Sequence, residues 1–144
     1  MQEAFPLTIY HNPACGTSRN ALEMIRKAGY APNVVEYLKT GWTRAKLDEL
    51  LAALALAPRD ILRAKGTPAA ELGLLEASAS DAQILEAMLV HPILVNRPIV
   101  VTKRGARLAR PSEVVFEILD NRPAEFRKED GAVVRPGAPT AGQN

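Results

Sequence analysis

The stretch Tyr10-His11-Asn12-Pro13-Ala14-Cys15-Gly16-Thr17-Ser18-Arg19-Asn20 decides how the rest of the chain is read. Before it, Leu7 to Tyr10 is a short apolar strand candidate. After it, Ser18 to Ala28 carries Leu22, Met24, Ile25 and Ala28 on a helical pattern, and Gly29 supplies a C-terminal stop. Cys15, the single cysteine of the chain, therefore falls on a strand-to-helix turn. The first N–H groups of a helix are unpaired and carry positive partial charge. Such a terminus binds anions and favours thiolate over thiol. A lone cysteine is most often a small buried core residue. The turn position and the flanking Gly16-Thr17-Ser18 point instead to a reactive sulfur beside an oxyanion.

Working outward, Val34 to Leu38 reads as a second strand. A strand–helix–strand unit of this length makes a right-handed crossover between parallel strands. Ligands of such sheets bind beyond the carboxyl ends of the strands, where Cys15 lies. A long stretch without strand signals follows, Thr43 to Val90. Thr43 is an N-cap candidate, with Leu47, Leu50, Leu51 and Leu54 on one helical face. Pro58 opens a short helix through Arg63. Ser80-Asp81-Ala82-Gln83 fits a capping box, and His91-Pro92 ends the helix that it starts.

Two further strands, Ile99 to Thr102 and Ala106 to Ala109, are close enough to form a hairpin. Pro111 suits the first turn of a last helix, with Val114, Val115, Ile118 and Leu119 facing inward. The order βαβ, helices, β-hairpin, helix predicts an α/β fold with a mixed sheet and helices on its faces. The expected organisation is one domain over 1–131, with a helical insertion at about 43–95 and a flexible tail over 132–144.

The hairpin register carries a second clue. With Lys103 and Arg104 as the two turn residues, Arg97 lies opposite Arg110. Like charges facing each other destabilise a strand pair, and an anion held between them accounts for the arrangement. In Asn96-Arg97-Pro98 the proline pushes Arg97 to an extended conformation, and Pro98 is a cis-proline candidate.

Composition narrows the function classes. The 144 residues carry a net charge of +2, too little to argue for nucleic acid, and no apolar run approaches a membrane span. No secretory signal is visible at the N-terminus, and one cysteine cannot form an internal disulfide, so a reducing cytoplasmic setting is expected. One cysteine and two distant histidines do not make a metal site, and no Gly-rich nucleotide loop is present.

His11 to Asn20, Leu62-Arg63, His91 to Val101 and Arg110 to Val115 together resemble the bacterial arsenate reductases of the glutathione- and glutaredoxin-coupled class. The resemblance runs from about Leu7 to Gly131. It implies a thioredoxin-like fold with a helical insertion and a cis peptide before Pro98. It implies Cys15 as the nucleophile, Arg63, Arg97 and Arg110 as oxyanion-binding residues, and His11 near the thiol. Arg63 is identified by resemblance alone. His11 has a second reading, a strand-end histidine with a satisfied hydrogen bond. Ser18 has two as well: it caps the helix, or it occupies the place of the second cysteine in a redox Cys-x-x-Cys pair.

The expected activity is reduction of arsenate to arsenite. That reduction needs two electrons and a single thiol supplies one, so glutathione is expected as co-substrate and glutaredoxin as the partner that cleaves the mixed disulfide. A bound cofactor, a nucleic acid and a membrane are not expected, and a monomer is. Three rivals stand beside this. A phosphatase needs an arginine six places after the cysteine, where this chain has Ala21. A thioredoxin-fold regulator that binds RNA polymerase uses a Cys-x-x-Cys switch, which Ser18 interrupts. A related glutathione-dependent reductase would act on another acceptor.

Overall fold

The computed structural model describes residues 7–137. Its chain divides into two compact units, one built from the segments up to Glu36 and from Arg97 onward, the other from Tyr37–Asn96.

The first unit is organised on a four-stranded mixed sheet. Its strands are β1 (Thr8–His11), β2 (Asn33–Glu36), β3 (Ile99–Thr102) and β4 (Gly105–Leu108), in the order β2-β1-β3-β4. β1 runs parallel to β2, with Tyr10 opposite Val35, and antiparallel to β3, with Ile9 opposite Val100. Helix α1 (Gly16–Lys27) makes the crossover from β1 to β2. Its buried face is Ser18, Ala21, Leu22, Met24 and Ile25, the apolar stripe of the sequence pattern plus one hydroxyl. At its far end Gly29 takes a φ of 101°, and the Gly29 and Tyr30 N–H groups fold back onto the Arg26 and Ile25 carbonyls. That is a Schellman stop, for which a residue without Cβ is best suited.

The hairpin register follows the expectation. Thr102 pairs with Gly105 and Ile99 with Leu108, so Lys103 and Arg104 form the turn. Beyond the ladder, Ala109 N–H donates to the Pro98 carbonyl at 2.9 Å, which carries the two chains on to Arg97 and Arg110. The Arg97–Pro98 peptide is cis, and so is Arg110–Pro111.

The segment after Pro111 departs from an α-helix. Ser112–Ile118 is a 3₁₀ run, which buries Val115, Phe116 and Ile118. The neighbouring β-branched Val114 and Val115 disfavour α-helix, and a period of three turns the side chains at 115 and 118 to one side. These residues join Ile9, Leu22, Met24, Ile25, Val100, Ala109 and Leu119 in one hydrophobic core. Burying each large side chain there is worth about 1.5–3 kcal/mol relative to exposure.

Two short strands close this unit: β5 (Phe126–Arg127) pairs antiparallel with β6 (Val133–Val134). Phe126 and Val134 pack on the core. The start of the expected tail, from 132, thus takes part in a strand pair, because Val134 finds an apolar surface to cover. The rest of that tail, 138–144, lies outside the described residues.

The second unit, Tyr37–Asn96, is mostly helical and contains the stretch 43–95. Helix α2 (Tyr37–Thr40) replaces the end of the expected second strand. Tyr37 is fully buried, stacks on Trp42 with ring centroids 5.1 Å apart, and donates its hydroxyl to the Val95 carbonyl. Those contacts draw the chain off the strand path at Glu36. Helix α3 (Arg44–Leu54) is capped by the Thr43 side chain, which accepts from the Lys46 N–H. Helix α4 (Asp81–Val90) begins at a Ser80–Gln83 capping box. Leu47, Leu50, Ile61, Ile84, Met88 and Leu94 are buried here. Among the described residues, no helix is long and apolar enough to cross a membrane.

Candidate active site

The site in the first unit is built on the turn between β1 and α1. Asn12 shapes that turn: its side-chain oxygen accepts from the Ala14 N–H at 2.9 Å, and its carbonyl accepts from the Cys15 N–H at 3.0 Å. An Asx turn of this kind is what an Asn before a proline favours. Cys15 then sits in the N-cap position with extended backbone (φ −102°, ψ 122°), and no side chain caps the helix. The first-turn N–H groups are left to face the sulfur.

Cys15 is buried, with 7% of its surface exposed. Burial pushes the thiol pKa up. Opposing it are the Ser18 N–H, the charge and hydrogen bond of the Arg97 guanidinium, and the Thr17 N–H. Together they outweigh burial, and the thiol lies below its ordinary value. Arg110 Nη1 stands 3.9 Å from Cys15 Sγ and also donates to the Arg97 carbonyl at 3.0 Å. A half-buried Arg97 and a more exposed Arg110 therefore bracket the sulfur. Guanidinium groups suit tetrahedral oxyanions because their planar forks donate two parallel hydrogen bonds.

Beneath the turn lies a buried polar pair. His11 Nδ1 is 2.6 Å from the Ser18 hydroxyl, which also accepts from the Asn12 N–H at 3.1 Å. Burial lowers the His11 pKa, against the opposing charge of Glu36. The ring is therefore neutral at pH 7. An assignment that satisfies all three groups has Ser18 donating to Nδ1, with the ring proton on Nε2.

The fold thus brings His11, Cys15, Ser18, Arg97 and Arg110 into one neighbourhood. Arg63 belongs to the second unit, where its Nε donates to the Lys65 carbonyl at 3.0 Å. Three contributors escape the sequence pattern. Asn12 had a local signal, the Asn-Pro pair. Ser112 donates to the Thr17 carbonyl at 3.1 Å, and Arg19 pairs with Glu129 at 2.8 Å. Both contacts join residues about a hundred positions apart, so no local pattern could reveal them. Among the described residues, no group of three or more His, Cys, Asp or Glu is placed to hold a metal ion.

A thiol of lowered pKa at a helix start, flanked by arginines on a sheet of this topology, is the arrangement of a thioredoxin-like fold. Residues 10–118 match the model of the ArsC family, and the chain belongs to that family. It is 60% identical over 129 residues to an arsenate reductase of Rhizobium meliloti, covering 89% of this chain and 92% of that protein. It is 54% identical to an arsenate reductase of Escherichia coli, with the same coverage of both chains. Among solved structures, an arsenate reductase from Vibrio cholerae superposes with a TM-score of 0.76 at 41% identity, covering 81% of this chain and all of that one.

Proposed function

We propose that this chain reduces arsenate to arsenite, with Cys15 as the nucleophile. The carrying observation is a thiol of lowered pKa in a helix N-cap position, bracketed by Arg97 and Arg110, in a member of the ArsC family. The anion is held by these two arginines and the first-turn N–H groups. The Cys15 thiolate attacks arsenic and a hydroxide leaves, taking up a proton as water.

The electron count then requires a second thiol. One cysteine is present, and glutathione supplies the other. Arsenic accepts two electrons and leaves as arsenite, while the Cys15 and glutathione sulfurs are oxidised to a mixed disulfide. Glutaredoxin attacks the glutathione sulfur of that disulfide and returns Cys15 to the thiolate. Glutathione is thus a co-substrate, and a resident cofactor has no step to perform. Chemistry of this kind belongs in a reducing cytoplasm, and a monomer suffices for it.

A redox-switch regulator fits less well. Ser18, in the place of a second cysteine, is fully buried and engaged by His11 and Asn12. The test is NADPH consumption with arsenate, glutathione, glutaredoxin and glutathione reductase. Wild type should turn over and Cys15→Ser should not. No arsenate-dependent consumption by wild type would defeat the proposal.

A further inference from the structure

Beside the site stands an ion pair that the steps above leave unused. Glu129 lies in the turn from β5 to β6. Its carboxylate accepts from Arg19 Nε at 2.8 Å and from Nη2 at 2.9 Å, a two-pronged pair. The remaining Nη1 donates to the Pro13 carbonyl at 2.8 Å, in the turn that carries Cys15. All three nitrogens of this guanidinium are thus committed to protein acceptors. The Glu129 turn is itself pinned. Its N–H donates to Asn20 Oδ1 at 3.0 Å, and the preceding Lys128 pairs with Glu113 at 2.6 Å.

Both charged groups lie beside Gly16, the residue that follows Cys15. A Cβ built on Gly16 would lie 3.6 Å from Glu129 Oε1 and 3.7 Å from Arg19 Nη2. With side chains 43% and 47% exposed, a surface pair of this kind adds little to stability. Its placement matters more: Arg19 is a cation at the edge of an anion site, and Glu129 occupies it.

We propose that Glu129 is a positioning residue that holds Arg19 away from the oxyanion and balances its charge, leaving the anion to Arg97 and Arg110. This rests on the assignment of Cys15 to an oxyanion site. Removing the Glu129 charge leaves Arg19 uncompensated beside the sulfur, and anions are drawn in more strongly. Removing the Arg19 charge leaves a bare carboxylate there, and anions are repelled.

The opposite signs make the test sharp. Cys15 of the full chain is alkylated with iodoacetate, an anion, and with neutral iodoacetamide, at a pH where the thiolate is saturated. The ratio of the two rates reads the local field. A unit charge within a Debye length shifts it by about two- to threefold. The ratio should rise in Glu129→Gln, fall in Arg19→Gln, and lie near wild type in the double variant and in Glu129→Asp. A merely loosened turn changes both rates together and leaves the ratio alone. Equal ratios in all variants, or shifts of one sign in both single variants, would overturn the inference. Alkylation uses no arsenate, so a wild type inactive on arsenate would defeat the proposed function while this ratio still judges the charge balance.

Discussion

Arg110 Nη1 reaches Cys15 Sγ at 3.9 Å across 95 positions of sequence, and the same nitrogen holds the Arg97 carbonyl at 3.0 Å. One guanidinium therefore links the end of the hairpin to the turn that carries Cys15. Neither Arg97 nor Arg110 can shift without moving the groups that face the sulfur.

Loss of either arginine should weaken catalysis more than folding. A charge-assisted hydrogen bond to an anion is worth about 1.5–3 kcal/mol, so kcat/KM for arsenate should fall roughly tenfold to a hundredfold in Arg97→Ala and Arg110→Ala. Steady-state kinetics in the coupled assay measures this. An unchanged kcat/KM would remove both residues from the anion site.

The Cys15 thiol should titrate below the ordinary cysteine value, because the Ser18 and Thr17 N–H groups and Arg97 outweigh burial. Iodoacetamide reactivity against pH gives the midpoint. Arg97→Ala should raise it, because its charge and hydrogen bond are lost while burial remains. The linkage has the matching sign. A thiol whose folded pKa is depressed stabilises the folded state above the unfolded pKa, and that contribution is lost as pH falls through the folded value.

His11 should make the protein less stable in mild acid. Its folded pKa is lowered, chiefly by burial. Between the ordinary histidine value of about 6.5 and that lowered value, the unfolded chain binds the extra proton and the folded chain does not. Stability therefore rises with pH across this window. Urea midpoints measured from pH 5 to 7 should show that slope in wild type and a shallower one in His11→Gln.

Ser18→Ala separates architecture from activation. It strips the buried His11 ring and Asn12 N–H of their shared partner, at a cost of about 1–3 kcal/mol in unfolding free energy. The group of residue 18 that faces the sulfur is its backbone N–H, which the substitution keeps. The urea midpoint should fall while the Cys15 alkylation midpoint stays close to wild type.

Gly29→Ala probes the stop of α1. A Cβ there meets nothing within 4 Å, so the penalty is purely conformational. At a φ of 101° it should destabilise by about 1–2 kcal/mol, read by urea denaturation, with the alkylation profile of Cys15 unchanged.

Local physics was enough to read much of this chain from its residues. An apolar run and an amphipathic repeat place Cys15 at a helix start, because each depends on neighbours a few positions away. Turn length and alternation likewise set the hairpin register and align Arg97 with Arg110. The tertiary structure decided the rest. Tyr37 leaves the second strand for a helix because its ring is buried against Trp42, and 112–118 winds as 3₁₀ because the core must receive Val115, Phe116 and Ile118. The approach of Arg110 to Cys15, of Ser112 to the Thr17 carbonyl and of Glu129 to Arg19 exists only once the sheet is assembled. Contacts between residues so distant in sequence leave no periodic trace, since their geometry comes from packing rather than from the chain's own repeat.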